Sequence, residues 1–246
     1  IRKMITDYDN SLAKKSTIED IFYQVRLNAC APKDFEFDKN HTKINLINGV
    51  LDINSMALDS FSKELFQTIK LPVSYIPKAS SQKWEQYLKD LCLFPETISR
   101  LQEWAGYCFF PSVKIQKCLY LKGEGDNGKS IFLNTISNIL GKACSRLEIT
   151  EIYERFRVTE LQGKLANICA DIKTECLSDK FKEIIDGNEV LAEEKFKKPY
   201  HYKPYCKFMF SANNFLPTKD KSHGFFKRFD TVEFKRKFSK EEINPN

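Results

Sequence analysis

Residues Gly123-Glu124-Gly125-Asp126-Asn127-Gly128-Lys129-Ser130 place three glycines, a lysine and a hydroxyl within eight consecutive positions. They fit G-x-x-x-x-G-K-[ST], a spacing in which each residue type has a task at a phosphate. Glycines let backbone N–H groups curl around phosphate oxygens with no Cβ in the way. Lys129 supplies a point charge for the terminal phosphates, and Ser130 offers a hydroxyl to Mg²⁺. A helix that begins on the loop adds the positive end of its dipole. The expected nucleotide contacts are Gly123, Glu124, Gly125, Asp126, Asn127, Gly128, Lys129, Ser130 and Ile131. The motif implies nucleotide binding and by itself says nothing of what hydrolysis would drive.

A second candidate is Asp171, at the end of the apolar run Lys164-Leu165-Ala166-Asn167-Ile168-Cys169-Ala170. A carboxylate there can hold Mg²⁺ through water or orient an attacking water. Ile172 follows it, so no adjacent acidic pair is present. Either Asp171 serves both roles, or Glu175 or another subunit contributes.

These residues need a frame. Cys118-Leu119-Tyr120-Leu121 predicts a buried strand running into the loop. Ile131 to Leu140 predicts the helix leaving it, with Gly141 as its stop. From about Ile115 onward the pattern reads strand, loop, helix, strand, helix, hairpin, strand, which is an α/β layered domain with a central sheet. Two helices are expected between Ser81 and Phe110, where Trp84, Tyr87, Leu88 and Leu91, then Ile98, Leu101, Trp104 and Ala105, recur at helical spacing. Pro95 separates them. Upstream, Ser16 to Leu27 predicts a helix capped by Ser16 or Thr17. Lys43 to Ile53 predicts a strand pair around Asn48-Gly49. The expected organisation is a small mixed region (1–80), a helical segment (81–114) and a motor domain (115–246) that stops short of its usual end. The chain opens on Ile1 rather than Met, so it reads as a piece of something longer.

Composition narrows the class. The chain has 246 residues, of which 42% are hydrophobic, enough to bury a core and against global disorder. No apolar run approaches the ~20 residues that cross a bilayer, so no membrane partner is expected. None of the eight cysteines forms a CxxC pair, and most sit among apolar residues. Free thiols in a reducing cytoplasm fit this better than disulfides or structural zinc. His201 and Cys206 alone fall short of a ligand set. A net charge of +6 leans towards a polyanionic partner.

The order of motifs after Asp171 carries a family resemblance. Phe181-Lys182-Glu183-Ile184-Ile185-Asp186-Gly187 leads into Glu194-Lys195-Phe196-Lys197-Lys198-Pro199, and then Phe208-Met209-Phe210-Ser211-Ala212-Asn213-Asn214-Phe215-Leu216-Pro217 leads to Phe226-Lys227-Arg228-Phe229. Upstream, Ile44 to Asp52 and Leu101 to Tyr107 add two weaker matches. This order resembles the superfamily 3 helicases, in their phage, plasmid and poxvirus primase–helicase branch. The resemblance implies a P-loop AAA+-like ATPase preceded by a smaller helical and β region, using ATP and Mg²⁺. It also implies single-stranded or forked DNA as a partner, self-association into a homohexamer, 3′-to-5′ travel and a bacterial cytoplasmic setting.

By position, the resemblance makes Lys129, Asp171, Asn214 and Arg228 the catalytic residues, and Ser130 and Asp171 the metal ligands. Asn214 stands where a sensor meets the γ-phosphate or attacking water, with Asn213 as its competitor. Arg228 stands where an arginine finger reaches a neighbour's nucleotide and stabilises charge developing there. Lys195, Lys197 and Lys198 stand on a hairpin that would contact DNA phosphates. Phe196 or Tyr200 would stack on bases or pack within the hairpin. No primase motif is visible. A nucleotide-dependent initiator or loader without unwinding, and a small-molecule kinase, remain as alternatives.

Overall fold

The computed structural model describes residues 15–28, 37–170, 172, 178–239 and 241–242. The chain divides into two compact units, Ile1–Phe37 and Asp38–Asn246. In the first unit the described element is α1 (Lys15–Asn28). Ser16 and Thr17 lie inside this helix, which already includes Lys15, so neither occupies the cap position expected for it.

The second unit begins with a three-stranded antiparallel sheet, β1 (Lys43–Leu46), β2 (Gly49–Asp52) and β3 (Ala57–Asp59). Leu46 pairs with Gly49 across the expected Asn48-Gly49 turn. Glycine is needed there because a Cβ would lie 2.5 Å from the Asp59 carbonyl of β3, a strand with no periodic signal of its own. The Asn48 side chain ties this turn to the next segment, donating to the Tyr75 carbonyl at 2.8 Å and accepting from its N–H at 3.0 Å.

Two helices follow, α2 (Gln82–Asp90) and α3 (Pro95–Tyr107). Ser81 caps α2 by accepting from the Trp84 N–H at 3.3 Å. Pro95 opens α3 at its first position, where its missing N–H costs nothing and its fixed φ suits a helix start.

The rest builds one five-stranded, all-parallel sheet from β4 (Cys118–Lys122), β5 (Cys144–Ser145), β6 (Ala166–Cys169), β9 (Lys207–Ala212) and β10 (Phe229–Glu233). Their order across the sheet is β10-β4-β9-β6-β5. Between them lie α4 (Lys129–Leu140), α5 (Ser178–Ile185), the antiparallel hairpin β7 (Val190–Ala192) and β8 (Tyr200–Tyr202), and the short α6 (His223–Phe226).

Alternation along each strand feeds two cores. Leu119, Leu121, Ile168, Met209 and Val232 face a layer containing Leu101 and Trp104 of α3 and Phe132, Leu133, Ile136 and Leu140 of α4. Cys118, Tyr120, Phe208, Phe210 and Phe229 face the opposite layer, with Phe181 and Ile184 of α5 and Phe225 of α6. Both sheet faces are covered, which is why these strands read as near-continuous apolar runs. Among the buried polar residues of the sheet, Asn167 of β6 is fully buried. Its amide is well bonded, accepting from the Leu147 N–H and the Ser145 hydroxyl and donating to the Leu147 carbonyl.

Candidate nucleotide site and basic hairpin

The phosphate loop joins the end of β4 to the start of α4, the strand–loop–helix context its sequence requires. β4 is flanked by β9 on one side and β10 on the other, so the loop sits at the carboxyl ends of parallel strands, where open α/β sheets place their ligands. Gly128 has φ +89 and forms the amino-terminal cap of α4. A Cβ on it would lie 2.9 Å from Leu91 Cδ2. A Cβ on Gly123 would meet the Asn127 amide at 2.2 Å and the Phe234 carbonyl at 2.4 Å.

The loop is braced from two distant parts of the chain. Tyr87 of α2 donates its hydroxyl to the Gly128 carbonyl at 3.0 Å, and burial pushes its pKa up. On the other side, the Phe238 N–H donates to the Asp126 carbonyl at 2.7 Å, and the Asn127 amide donates to the Phe234 carbonyl at 3.2 Å. Arg236 holds this trailing segment, donating to the Asp90 carbonyl, pairing with Glu242 and lying 4.5 Å over the Phe238 ring. Lys129 is 5% exposed, and its ammonium donates to Gly123 O, to Glu124 O at 3.1 Å and to Asn127 Oδ1 at 2.9 Å.

Two clefts border the loop. The larger, about 890 Å³, is lined by residues Gly125 to Ile131, by Asn213, by Gln86 and Tyr87 of α2, and by Phe238. Ser130 and Ile131 are exposed on its floor. The smaller, about 320 Å³, is lined by Gly123, Glu124, Gly125, Asn213 and Asn214 together with the basic run Lys235-Arg236-Lys237. Asn213 thus borders both clefts and Asn214 the smaller one. The Asn214 carbonyl accepts from the Tyr120 hydroxyl at 2.9 Å, fixing the chain as it leaves β9. Asp171, with Glu175, lies outside the described residues. Among the described residues no group of three or more His, Cys, Asp or Glu is placed to hold a metal. A Mg²⁺ held largely by phosphate oxygens and water asks for only one or two protein ligands, and the exposed Ser130 at the head of α4 suits one of those positions.

Arg228 lines neither cleft. It is 12% exposed, donates through Nε to Asp186 Oδ1 at 2.8 Å and through a second nitrogen to Oδ2, and also donates to the Gly224 carbonyl. Asp186 follows directly on α5. One turn earlier, Lys182 pairs with Asp220 at 2.5 Å, holding that carboxyl far below the usual carboxylate range. Two ion pairs of opposite polarity therefore clasp α5 to the β9–β10 connection.

Lys195, Lys197 and Lys198 sit at the exposed tip between β7 and β8. The base of this hairpin is anchored: Val190 and Ala192 are buried, the Tyr200 hydroxyl donates to Gln162 at 2.5 Å, and the Tyr202 hydroxyl donates to the Val158 carbonyl. Lys197 pairs with Glu194 at 2.6 Å, which raises its pKa, and for Lys195 and Lys198 no ion pair is formed with the described residues.

The sequence does not announce the walls of the larger cleft. Tyr87 carries the helical spacing of a core residue and does pack against Trp84, 5.0 Å away, while its hydroxyl serves the loop. Phe238 lies 110 residues beyond Gly128 and carries no local signal.

A family profile described as D5 N terminal like matches residues 1–93, and another described as a family of unknown function, DUF5906, matches residues 121–228. No curated protein matches the chain. Among solved structures, the A form apo structure of the NrS-1 C terminal region is similar at 16% identity and TM-score 0.53, over 90% of this chain and 52% of that one. A second A form structure of the same region, residues 305–718, gives 16% and 0.54 over 93% of this chain and 56% of that one. A further apo structure gives 15% and 0.53 over 89% and 53%. The chain spans about half the length of these structures, and the likeness is one of fold.

Proposed function

We propose that this chain is the ATPase motor of a replication helicase from a phage, plasmid or other mobile element. ATP binds in the larger cleft, and its hydrolysis at the interface between two copies drives movement along single-stranded DNA. The observation that carries the reading is the loop Gly123–Ser130, which joins a central parallel strand to a helix start with the buried Lys129 at its centre and Asn213 alongside. The D5 N terminal like match, and the order of motifs from Asp171 to Arg228, support the assignment to replication.

Each residue then has a task. The backbone of residues 125–130 cradles the phosphates, and the Lys129 ammonium turns from the loop oxygens to a charged phosphate oxygen. Mg²⁺, which would neutralise charge on the phosphates, would be held by Ser130 and by Asp171 through water. Asn213 or Asn214 orients the attacking water. Arg228 serves a neighbour's nucleotide only after leaving Asp186, so the proposed finger requires that pair to open on assembly. Lys195, Lys197 and Lys198 contact DNA phosphates. Self-association as a homohexamer is part of the same proposal.

The test is steady-state ATP hydrolysis with and without single-stranded DNA at two salt concentrations, with the mass of the assembly measured in parallel. Hydrolysis stimulated by DNA, weakened by salt and confined to a large ring supports the motor. Turnover by a monomer indifferent to DNA would overturn it and favour a small-molecule kinase. DNA-dependent hydrolysis with no strand displacement would favour a loader.

A further inference from the structure

The hairpin between β7 and β8 is anchored at its base and fully open at its tip. There Phe196 is completely exposed, at 105% of a reference phenylalanine. Its backbone is left-handed, with φ +67, a region that bulky side chains avoid. An aromatic ring at a tight turn ordinarily folds back on its own strands to hide apolar surface. Here the strand aromatics Tyr200 and Tyr202 instead turn towards the body of the protein through their hydroxyls, and the Phe196 ring stands alone in solvent.

Its surroundings are polar in one sense only. Lys195, Lys197 and Lys198 flank the ring. The nearest carboxylates are spoken for, Glu194 by Lys197 and Glu193 by Arg155. Among the described residues the next most exposed phenylalanine, Phe94 at 78%, precedes Pro95-Glu96 and has no lysine within three positions. A protein partner's apolar pocket would accept either ring. A ring inside a lysine collar matches a polymer that alternates flat apolar faces with phosphates, because stacking on bases is indifferent to sequence while lysines follow the backbone.

We propose that Phe196 stacks on an unpaired base of single-stranded DNA while Lys195 and Lys198 hold the flanking phosphates. The inference rests on the reading of the hairpin as the DNA-contacting element and adds to it a contact with the bases.

The experiment measures binding of the whole chain to a fluorescein-labelled oligothymidylate and to an abasic strand of the same length, across a salt series. Phe196→Ala is expected to weaken binding to the oligothymidylate by roughly 5- to 150-fold. It should leave binding to the abasic strand unchanged and the slope of log K against log salt unaltered, whereas Phe196→Trp should restore the affinity. The double variant Lys195→Ala/Lys198→Ala should weaken both strands alike and flatten the slope. If Phe196→Ala binds the two strands as the parent does, or weakens both equally, stacking is wrong. A loss of assembly mass with DNA affinity intact would assign the ring to a contact between copies and likewise overturn the proposal. Failure of the lysine variant to alter binding would sink the hairpin reading itself, which separates the two ideas.

Discussion

Replacing Asp186 by Asn tests both the fold and the proposed finger. In the folded chain the Asp186 carboxylate accepts two N–H bonds from Arg228, and both side chains are well shielded, at 16% and 12% exposure. Two unit charges about 4 Å apart attract by about 4 kcal/mol at an effective dielectric of about 20. Desolvation offsets much of that for the intact pair, but losing one partner leaves the other charge buried and unmatched, which costs about 3–5 kcal/mol when burial is complete. Asn retains one acceptor, and the Gly224 carbonyl still receives a third guanidinium bond. The expected loss is therefore about 2–3 kcal/mol, a fall in Tm of roughly 4–12 °C for a domain of this size. Urea unfolding of Asp186→Asn, Arg228→Ala and the double variant closes a cycle whose coupling should exceed about 1 kcal/mol. Single variants costing less than about 0.5 kcal/mol, with no coupling, would refute the pair and leave Arg228 free in the unassembled chain. Hydrolysis supplies the second arm. Asp186→Asn frees the guanidinium and should keep turnover in the assembled protein, while Arg228→Ala should lose turnover and still bind ATP. Normal turnover by an assembled Arg228 variant would end the finger assignment.

Three further outcomes are expected. Lys129→Ala should lower ATP hydrolysis by at least about 100-fold with Tm little changed, since removing a charge that works on the transition state costs that much; retained turnover would show that the loop binds no reacting phosphate. Gly128→Ala should destabilise by about 2–4 kcal/mol, combining a left-handed backbone with a Cβ 2.9 Å from Leu91 Cδ2, and a Tm within 2 °C of the parent, measured calorimetrically to about that precision, would contradict the geometry. Lys207 should contribute stability that grows between pH 8 and 9, read as the difference between the parent and Lys207→Met. Burial lowers the Lys207 pKa from 10.5 to about 8, so over that interval the unfolded chain binds more protons and folding gains on the order of 1 kcal/mol. In the parent the buried thiols oppose this gain over the same interval and more strongly above pH 9, because burial raises Cys108 from 9.0 to about 12 and raises Cys206 as well, so the folded chain holds those protons that the unfolded chain releases. Urea titrations of the parent and Lys207→Met from pH 7 to 10 check this, and a rise that survives in the Met variant would assign it elsewhere.

What the sequence reveals here is what local chemistry encodes. The strand, loop and helix around Lys129 are contiguous, and a motif that must cradle phosphate leaves little freedom in residue type. Pro95 and Asn48-Gly49 are legible for the same reason. β5 has two residues, too few to show a period. β10 buries Phe229 and Val232, three positions apart at the sheet edge, which shows no strand period. The Arg228–Asp186 pair spans 42 residues, and nothing near either one announces the other. The cleft wall likewise comes from α2 and Phe238, which only the folded sheet brings to the loop.

The strand order has a consequence during synthesis. β4 lies inside the sheet, yet both of its neighbours are the last strands made. Some 85 residues separate Lys122 from Lys207, with β10 later still. At a ribosomal rate of roughly 5–20 residues per second, β4 waits on the order of 4–17 s for its first partner. Throughout that interval Cys118-Leu119-Tyr120-Leu121 has two open edges and two apolar faces. A nascent chain of this protein is therefore expected to depend on chaperones that shield unpaired strands, and slow translation between Lys122 and Lys207 would lengthen its exposure to aggregation.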